Sequence, residues 1–161
     1  MLAEATSTTF DLVLIVHVLV GVVAVVVLGA AYVAAAGLGR VAAGEPWPDA
    51  AGRFFTPGPD LAGRTVYLVP LSGLALVGLS RGEFHLDDPF VSAGLALAAG
   101  VIAIGEVLVF PASTRLGRRV HGSGTAPSDG AWRADLSRLR WGVDAMVLGL
   151  VVAAILMVAK P

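Results

Sequence analysis

The sequence predicts an all-α integral membrane protein that folds as an antiparallel four-helix bundle with up-down topology. Two observations lead to this fold class. Hydrophobic residues make up 57% of the 161 positions and charged residues only 14%, whereas soluble domains carry roughly a quarter charged residues. Four apolar stretches of about membrane-spanning length also follow one another along the chain. A chain of this length leaves no room for a large domain outside the bilayer.

The four predicted spans belong to one domain that covers the whole chain. We place them at residues 10–37, 63–80, 90–110 and 141–159, joined by inner loops 38–62 and 111–140 and by outer loop 81–89. Pro89 and Pro111 are the expected start and stop signals of the third span. Trp141 and Lys160 bracket the fourth span at its two membrane faces.

The second span is the weakest of the four, because it is short and contains Pro70 and two glycines. It could instead be a re-entrant or interfacial segment. Proline is tolerated inside membrane helices where neighbours satisfy the freed carbonyl, so we expect a kinked span with Arg64 reaching the interface.

The distribution of basic residues predicts the orientation. The inner loops and their edges hold nine arginines, whereas the other side holds only Arg81 and Lys160. The nine are Arg40, Arg53, Arg64, Arg115, Arg118, Arg119, Arg133, Arg138 and Arg140. Because basic loops stay in the cytoplasm, both termini should lie outside the cell. The arginines also suit contact with anionic lipid, and nothing else in the sequence indicates nucleic-acid binding.

The loops and the small residues give further expectations about packing. The segment "HGSGTAPSDG" is typical of a flexible linker, and the first inner loop contains aromatic residues that look exposed. Small residues recur at helix-contact spacing on the third span (Ala96, Gly100) and on the fourth (Ala145, Gly149, Ala153). This spacing predicts close helix packing within the bundle or against another subunit.

Three ionisable residues lie inside the predicted spans: His17, Glu106 and Asp144. Each costs about 2.5 kcal/mol or more to insert, so each needs a partner or a purpose. Glu106 is level with the start of the fourth span, where Arg140 and Asp144 share a helix face. We therefore expect a polar cluster of Glu106, Asp144, Arg140 and Arg64. It is either a structural ion-pair network or part of a proton or ion path.

His17 has two interpretations. Gly21 and Ala24 share its helical stripe and leave a shallow trough beside the imidazole. A haem b could lie in this trough with His17 as its iron ligand and Met157 as a weak second ligand. Alternatively, His17 makes a hydrogen bond to a neighbouring helix. A bis-histidine haem within one chain is excluded, because no other histidine lies in a span.

The sequence shows no catalytic constellation and no convincing metal site. The chain has no cysteine, which excludes disulfides and thiolate chemistry. Glu83, His85, Asp87 and Asp88 cluster in the outer loop, but their spacing matches no metal-binding motif. We therefore assign no catalytic residue and expect no metal site.

Four short motifs resemble one bacterial family: "HVLVG" in the first span, "VPLSGLAL" in the second, "FPASTRLGRR" after the third and the ending "ILMVAKP". They resemble bacterial integral membrane proteins grouped as domain of unknown function 2269, over essentially the whole chain. The resemblance implies a multi-spanning protein of the bacterial plasma membrane and no particular activity.

His17 and the Lys160-Pro161 ending are more distantly similar to haem-containing membrane protoporphyrinogen oxidases and to copper-resistance D-type membrane domains. The oxidases imply a lysine within the third span, where this chain has Glu106. This difference argues against porphyrinogen oxidation but leaves haem binding open.

The sequence favours the first of three functional hypotheses, and the other two are alternatives to it. The first is a non-enzymatic accessory or structural subunit that docks to a larger membrane complex, such as a respiratory complex, or self-associates. The second is a haem- or porphyrin-binding protein that uses His17 for electron transfer or tetrapyrrole chemistry. The third is an ion- or proton-coupled transporter that uses Glu106.

Overall fold

The computed structural model describes residues 2–128 and 130–159, with side chains from residue 8 onward. Helix accounts for 77% of the structure, and the described residues contain no strand, which confirms the all-α prediction. The helices are α1 (Leu2–Leu38), α2 (Asp49–Phe54), a 3₁₀ turn (Gly63–Tyr67), α3 (Leu68–Leu79), α4 (Pro89–Ile104), a π turn (Gly105–Val109), α5 (Phe110–Gly122) and α6 (Ala131–Ala159).

Three helical stretches are long and apolar enough to cross a membrane: Thr8–Leu38, Pro89–Gly122 and Ala131–Ala159. Gly63–Leu79 is a shorter apolar helix, in the region where the sequence predicts the weakest span. The structure therefore supports a helical membrane protein on the length and composition of these elements.

Glycines set the close packing of α4 on α6. A Cβ atom at Gly149 would lie 2.7 Å from Val101, and one at Gly142 would lie 2.6 Å from Val109. Together with the contact between Gly94 and Met157, these positions show that the two helices run antiparallel. Gly149 therefore packs as its spacing predicts, because a missing Cβ lets two helix backbones approach closely.

The small residues singled out on the third span do not pack within the bundle, and their packing against another subunit stays a prediction. Ala96 and Gly100 are exposed, and a Cβ added at Gly100 would meet nothing within 4 Å. Gly94 and Gly105 occupy the contact face of this helix instead. Spacing alone identified small residues on the helix but not the face that meets α6.

The helix does not end at Pro111 as predicted. It continues through α5 to Gly122, and the π turn immediately precedes the proline. Proline removes one backbone donor and crowds the preceding turn, and a π turn there adjusts the hydrogen-bond pattern locally. α6 likewise begins at Ala131, well before residue 141, so most of predicted loop 111–140 is helical.

The arginine-rich end, where α1 finishes and α6 begins, is more ordered than predicted. Gly44 and Trp47 donate backbone hydrogen bonds to Ala126 and Gly124, so the expected linker pairs with the first inner loop. The ring of Trp47 lies edge-on to Trp132 with centroids 5.4 Å apart. Trp47 and Phe55 are buried rather than exposed, because the two loops cover each other's apolar side chains.

The core lies in the half of the molecule nearest the arginine-rich end. On α1 the fully buried positions begin at Ala24 and continue through Leu28 and Ala35, and on α6 they include Leu139 and Met146. α1 packs on α3 and on α6, and α6 packs on α4, but α3 and α4 make little contact with each other. The helices therefore enclose a space on three sides in the half that contains His17.

Candidate functional site

A crevice of about 900 Å³ occupies the space between α1, α3, α4 and α6. Its lining is predominantly apolar and includes Leu14 on α1, Leu74 on α3 and Leu95 on α4. Among the helices that line it, α3 and α4 make little contact with each other. His17 and Glu83 are the two ionisable side chains among the described residues that line it. A mostly apolar cavity with few polar groups is typical of a binding site for a small apolar molecule.

His17 joins α1 to α3 at the wall of this crevice. Its Nδ1 atom lies 2.8 Å from the Oγ atom of Ser72, and the imidazole is half-buried. A Cβ atom at Gly73 would lie 3.5 Å from Cε1 of the imidazole, so this glycine leaves the ring room against α3. The expected interhelical hydrogen bond of His17 is therefore present.

The surroundings of Ser72 bear on the tautomer of His17. The Ser72 hydroxyl lies 2.7 Å from the Leu68 carbonyl oxygen and 3.0 Å from that of Val69, so acceptors for its single proton lie on its own helix. When the proton is donated to one of these carbonyls, the Ser72 oxygen accepts from Nδ1–H of His17. In that tautomer Nε2 carries the lone pair, which can accept a hydrogen bond or bind a metal.

Gly21 and Met157 line the same crevice as His17. A Cβ atom at Gly21 would meet nothing within 4 Å, so the expected trough is open at this residue. Ala24, the other residue expected to form it, is instead buried in the core and does not line the crevice. Met157 lies on α6 with its Cε atom 3.6 Å from the Cβ position of Gly94. The three residues suggested for haem thus border one cavity, while their role toward haem remains a prediction.

A second polar group spans the gap between α3 and α4, and we call it the clasp: Arg64, Tyr67 and Glu106. The Tyr67 hydroxyl donates to the Glu106 carboxylate, and Nη2 of Arg64 lies 3.4 Å from Oε1 of Glu106. The Arg64 guanidinium also lies over the Phe110 ring, 5.6 Å from its centroid. Glu106 belongs to the π turn, so the clasp connects this turn to the segment just before α3. The transporter hypothesis that rests on Glu106 stays a prediction.

Arg140 and Asp144 do not join the clasp. Nη2 of Arg140 lies 3.2 Å from the Tyr32 hydroxyl, and its guanidinium stacks over that ring at 5.2 Å. Among the described residues no ion pair connects Glu106 to either of them. The expected four-residue cluster is thus divided into two groups. Gly142 on α6 faces the π turn, whereas Asp144 is exposed on another side of the helix. The prediction used only the depth of each residue along its helix, and depth does not determine the direction in which a side chain faces.

Asp135 is a polar centre that the sequence analysis missed. Its carboxylate, only 5% exposed, lies 2.9 Å from Nε of Arg115, 3.6 Å from Nη1 of Arg138 and 4.0 Å from Nε of Arg119. These contacts fix α5 against α6. The available signal was one acidic residue among many arginines, but a span prediction treats that region as loop.

The outer-loop residues are arranged by local hydrogen bonds. The backbone N–H of His85 donates to Oδ2 of Asp88 at 2.8 Å, and the Ser80 hydroxyl oxygen accepts from the backbone N–H of Phe84. Within the described part of the chain, no three histidine or acidic side chains come together as metal ligands.

The fold and the crevice define an all-helical protein with three helices long and apolar enough to cross a membrane and one apolar cavity beside His17. No family model, curated protein or solved structure matches the chain. A functional assignment therefore depends on the geometry of the site.

Proposed function

We propose that this protein binds haem or a related tetrapyrrole within the bilayer of the bacterial plasma membrane, with His17 as the iron ligand. One observation carries the proposal. The Ser72 hydroxyl lies within hydrogen-bond distance of two carbonyl oxygens of its own helix, so it is placed to donate there and to accept from Nδ1–H of His17, which would leave the Nε2 lone pair for a ligand. Metal-binding histidines in proteins generally donate their other ring N–H in this way, which fixes the orientation of the ring.

The residues of the crevice fit a tetrapyrrole. Its volume of about 900 Å³ lies within the range of ligand sites, and its lining is mostly apolar. Gly21 leaves a flat molecule room beside His17, and Met157 offers a thioether on the same cavity. A bound haem b would supply one-electron redox chemistry, while the chain's own residues hold it, orient it and exclude water.

We propose further that Gly63–Leu79 crosses the membrane as the second of four spans. At about 1.5 Å per residue the segment reaches about 25 Å, close to the thickness of the hydrocarbon core. Arg64 near its first residue can extend toward the interface. The resulting protein is an antiparallel up-down bundle with both termini outside, an orientation supported by the arginines of the inner segments.

The test is a haem titration of the full-length protein in mild detergent. We expect a Soret band that saturates at one haem per chain and that His17→Ala abolishes. Ser72→Ala should weaken haem binding by about tenfold, because losing the group that orients a metal-binding histidine costs about that much. Ser92→Ala, an exposed serine on α4 outside the crevice lining, is the matched control and should bind as the parent protein does.

A protein that stays colourless after titration would contradict the proposal, as would a Soret band unchanged in His17→Ala. A colourless preparation that contains another membrane protein in a fixed ratio would instead support the accessory-subunit hypothesis.

A further inference from the structure

A second cavity of about 500 Å³ lies at the arginine-rich end, between the last turns of α1 and the first half of α6. None of its lining residues borders the crevice beside His17. On α1 it is lined by Ala35 and Gly39, whose small size leaves the space open. We call this cavity the cleft.

The α6 wall of the cleft combines a polar face with two apolar residues, Leu136 and Trp141. Arg133, Ser137, Arg140 and Asp144 recur at intervals of four, three and four residues, which places them on one side of the helix. Two guanidinium groups and one carboxylate give the cleft one excess positive charge. Such a site matches a ligand group with a single negative charge better than a dianion.

Aromatic rings hold both arginines in place. The Arg133 guanidinium lies 5.2 Å from the centroid of the Trp132 ring. The Arg140 guanidinium lies at the same distance from the Tyr32 ring and also contacts its hydroxyl. Each guanidinium has several N–H donors, and the fork geometry suits the oxygens of a phosphate group. The arrangement is therefore pre-organised for an anion.

The polar face continues into an exposed apolar stripe on the same side of α6. Trp141 also lines the cleft and is 71% exposed, and Leu148, Val151 and Ile155 follow at helical spacing, all exposed. A cationic cleft followed along the helix by an apolar stripe is complementary to an amphiphile with an anionic head group and a long apolar tail.

We propose that the cleft binds the phosphodiester group of an anionic glycerophospholipid, whose acyl chain lies along the α6 stripe. Phosphatidylglycerol, with one negative charge, has the matching chemistry. The proposal depends on the bilayer position of α6 but not on haem binding by His17, so either one can fail alone.

The experiment is native mass spectrometry of the delipidated full-length protein, titrated with phosphatidylglycerol or with zwitterionic phosphatidylcholine. We expect one phosphatidylglycerol to bind at least about tenfold more tightly than phosphatidylcholine, because phosphatidylcholine carries the same phosphodiester but its quaternary ammonium is repelled by the two arginines. The double variant Arg133→Gln, Arg140→Gln should lose this preference. Arg118→Gln removes one charge from an exposed position on α5 outside the cleft, which matches the single variant Arg133→Gln, and should keep the preference.

Two further variants separate binding from folding, because Arg140 also holds Tyr32. Arg133→Gln and Ser137→Ala leave that contact intact and should each weaken phosphatidylglycerol binding several-fold at an unchanged melting temperature. Equal losses in the Arg118 control would show that general surface charge attracts the lipid, which would overturn the proposal. Displacement of the lipid by millimolar inorganic phosphate or glycerophosphoglycerol would also overturn it, in favour of a soluble phosphate ligand.

Discussion

His17 and Ser72 show which part of the candidate site could be predicted from the sequence. The helical period predicted that Gly21 lies beside His17, and both residues border the crevice. The partner Ser72 was not predictable, because the rotation of α3 about its axis depends on tertiary packing and α3 has apolar residues around its whole circumference. Local periodicity therefore predicted one side of the site and not the other.

Gly117 is a residue whose replacement should destabilise the protein. A Cβ atom there would collide with the carbonyl oxygen of Thr56, a backbone atom that cannot turn aside. We expect Gly117→Ala to cost at least about 1–3 kcal/mol, because overpacking forces the backbone to shift. The measurement is the thermal unfolding midpoint in detergent.

Gly122→Ala is the control for this substitution. It lies on the same helix, and an added Cβ would meet nothing within 4 Å. The thermal unfolding midpoint of Gly122→Ala should stay unchanged or rise, since alanine has a higher helix propensity than glycine. Equal destabilisation by both substitutions would show that the contact with Thr56 does not determine the effect.

At the scale of elements, the continuous helix from Pro89 to Gly122 shows why an apolar helix was easier to predict than its end. Hydropathy located the apolar part of this helix. The proline rule placed the end at Pro111, yet the π turn lets the helix continue into arginine-rich α5. Helices outside the apolar stretch depend on tertiary contacts, such as those of Asp135, that hydropathy does not detect.

Asp135→Asn should loosen α5 from α6. The neutral side chain loses its ion pairs with Arg115 and Arg138, and these arginines are partly hydrated, so we expect a loss of about 1–3 kcal/mol. Relative to the parent protein, hydrogen exchange in Asp135→Asn should become faster in α5 and stay unchanged in α4. Asp87→Asn, an exposed outer-loop substitution, should leave both helices unchanged, and unchanged protection of α5 in Asp135→Asn would contradict this role.

At the scale of the whole molecule, the buried core lies toward the arginine-rich end, and the crevice beside His17 lies toward the other end. The sequence predicted the order of four apolar stretches but not the cavity between them. A cavity arises from the relative tilt of helices, and residues that line it have the same apolar character as residues that face lipid. Burial in the core begins at Ala24, and no sequence pattern marks that boundary.

The proposed topology predicts which loops a membrane-impermeant thiol reagent can reach. Because the chain has no cysteine, single cysteines report unambiguously. Asp87→Cys should be labelled in intact cells, and Arg118→Cys only after the membrane is opened. Labelling in the opposite order would reverse the orientation, and labelling of both in intact cells would contradict the four-span arrangement.

The gap between α3 and α4 affects how a ligand would reach His17. In the proposed four-span arrangement lipid tails would border this gap, so a tetrapyrrole would enter sideways from the hydrocarbon phase rather than from water. The fraction of protein with bound ligand would then depend on the mole fraction of the ligand among the lipids. The same total amount of ligand would saturate the protein in a small quantity of vesicles but not in a large one. The three residues of the clasp lie at one end of the gap between α3 and α4.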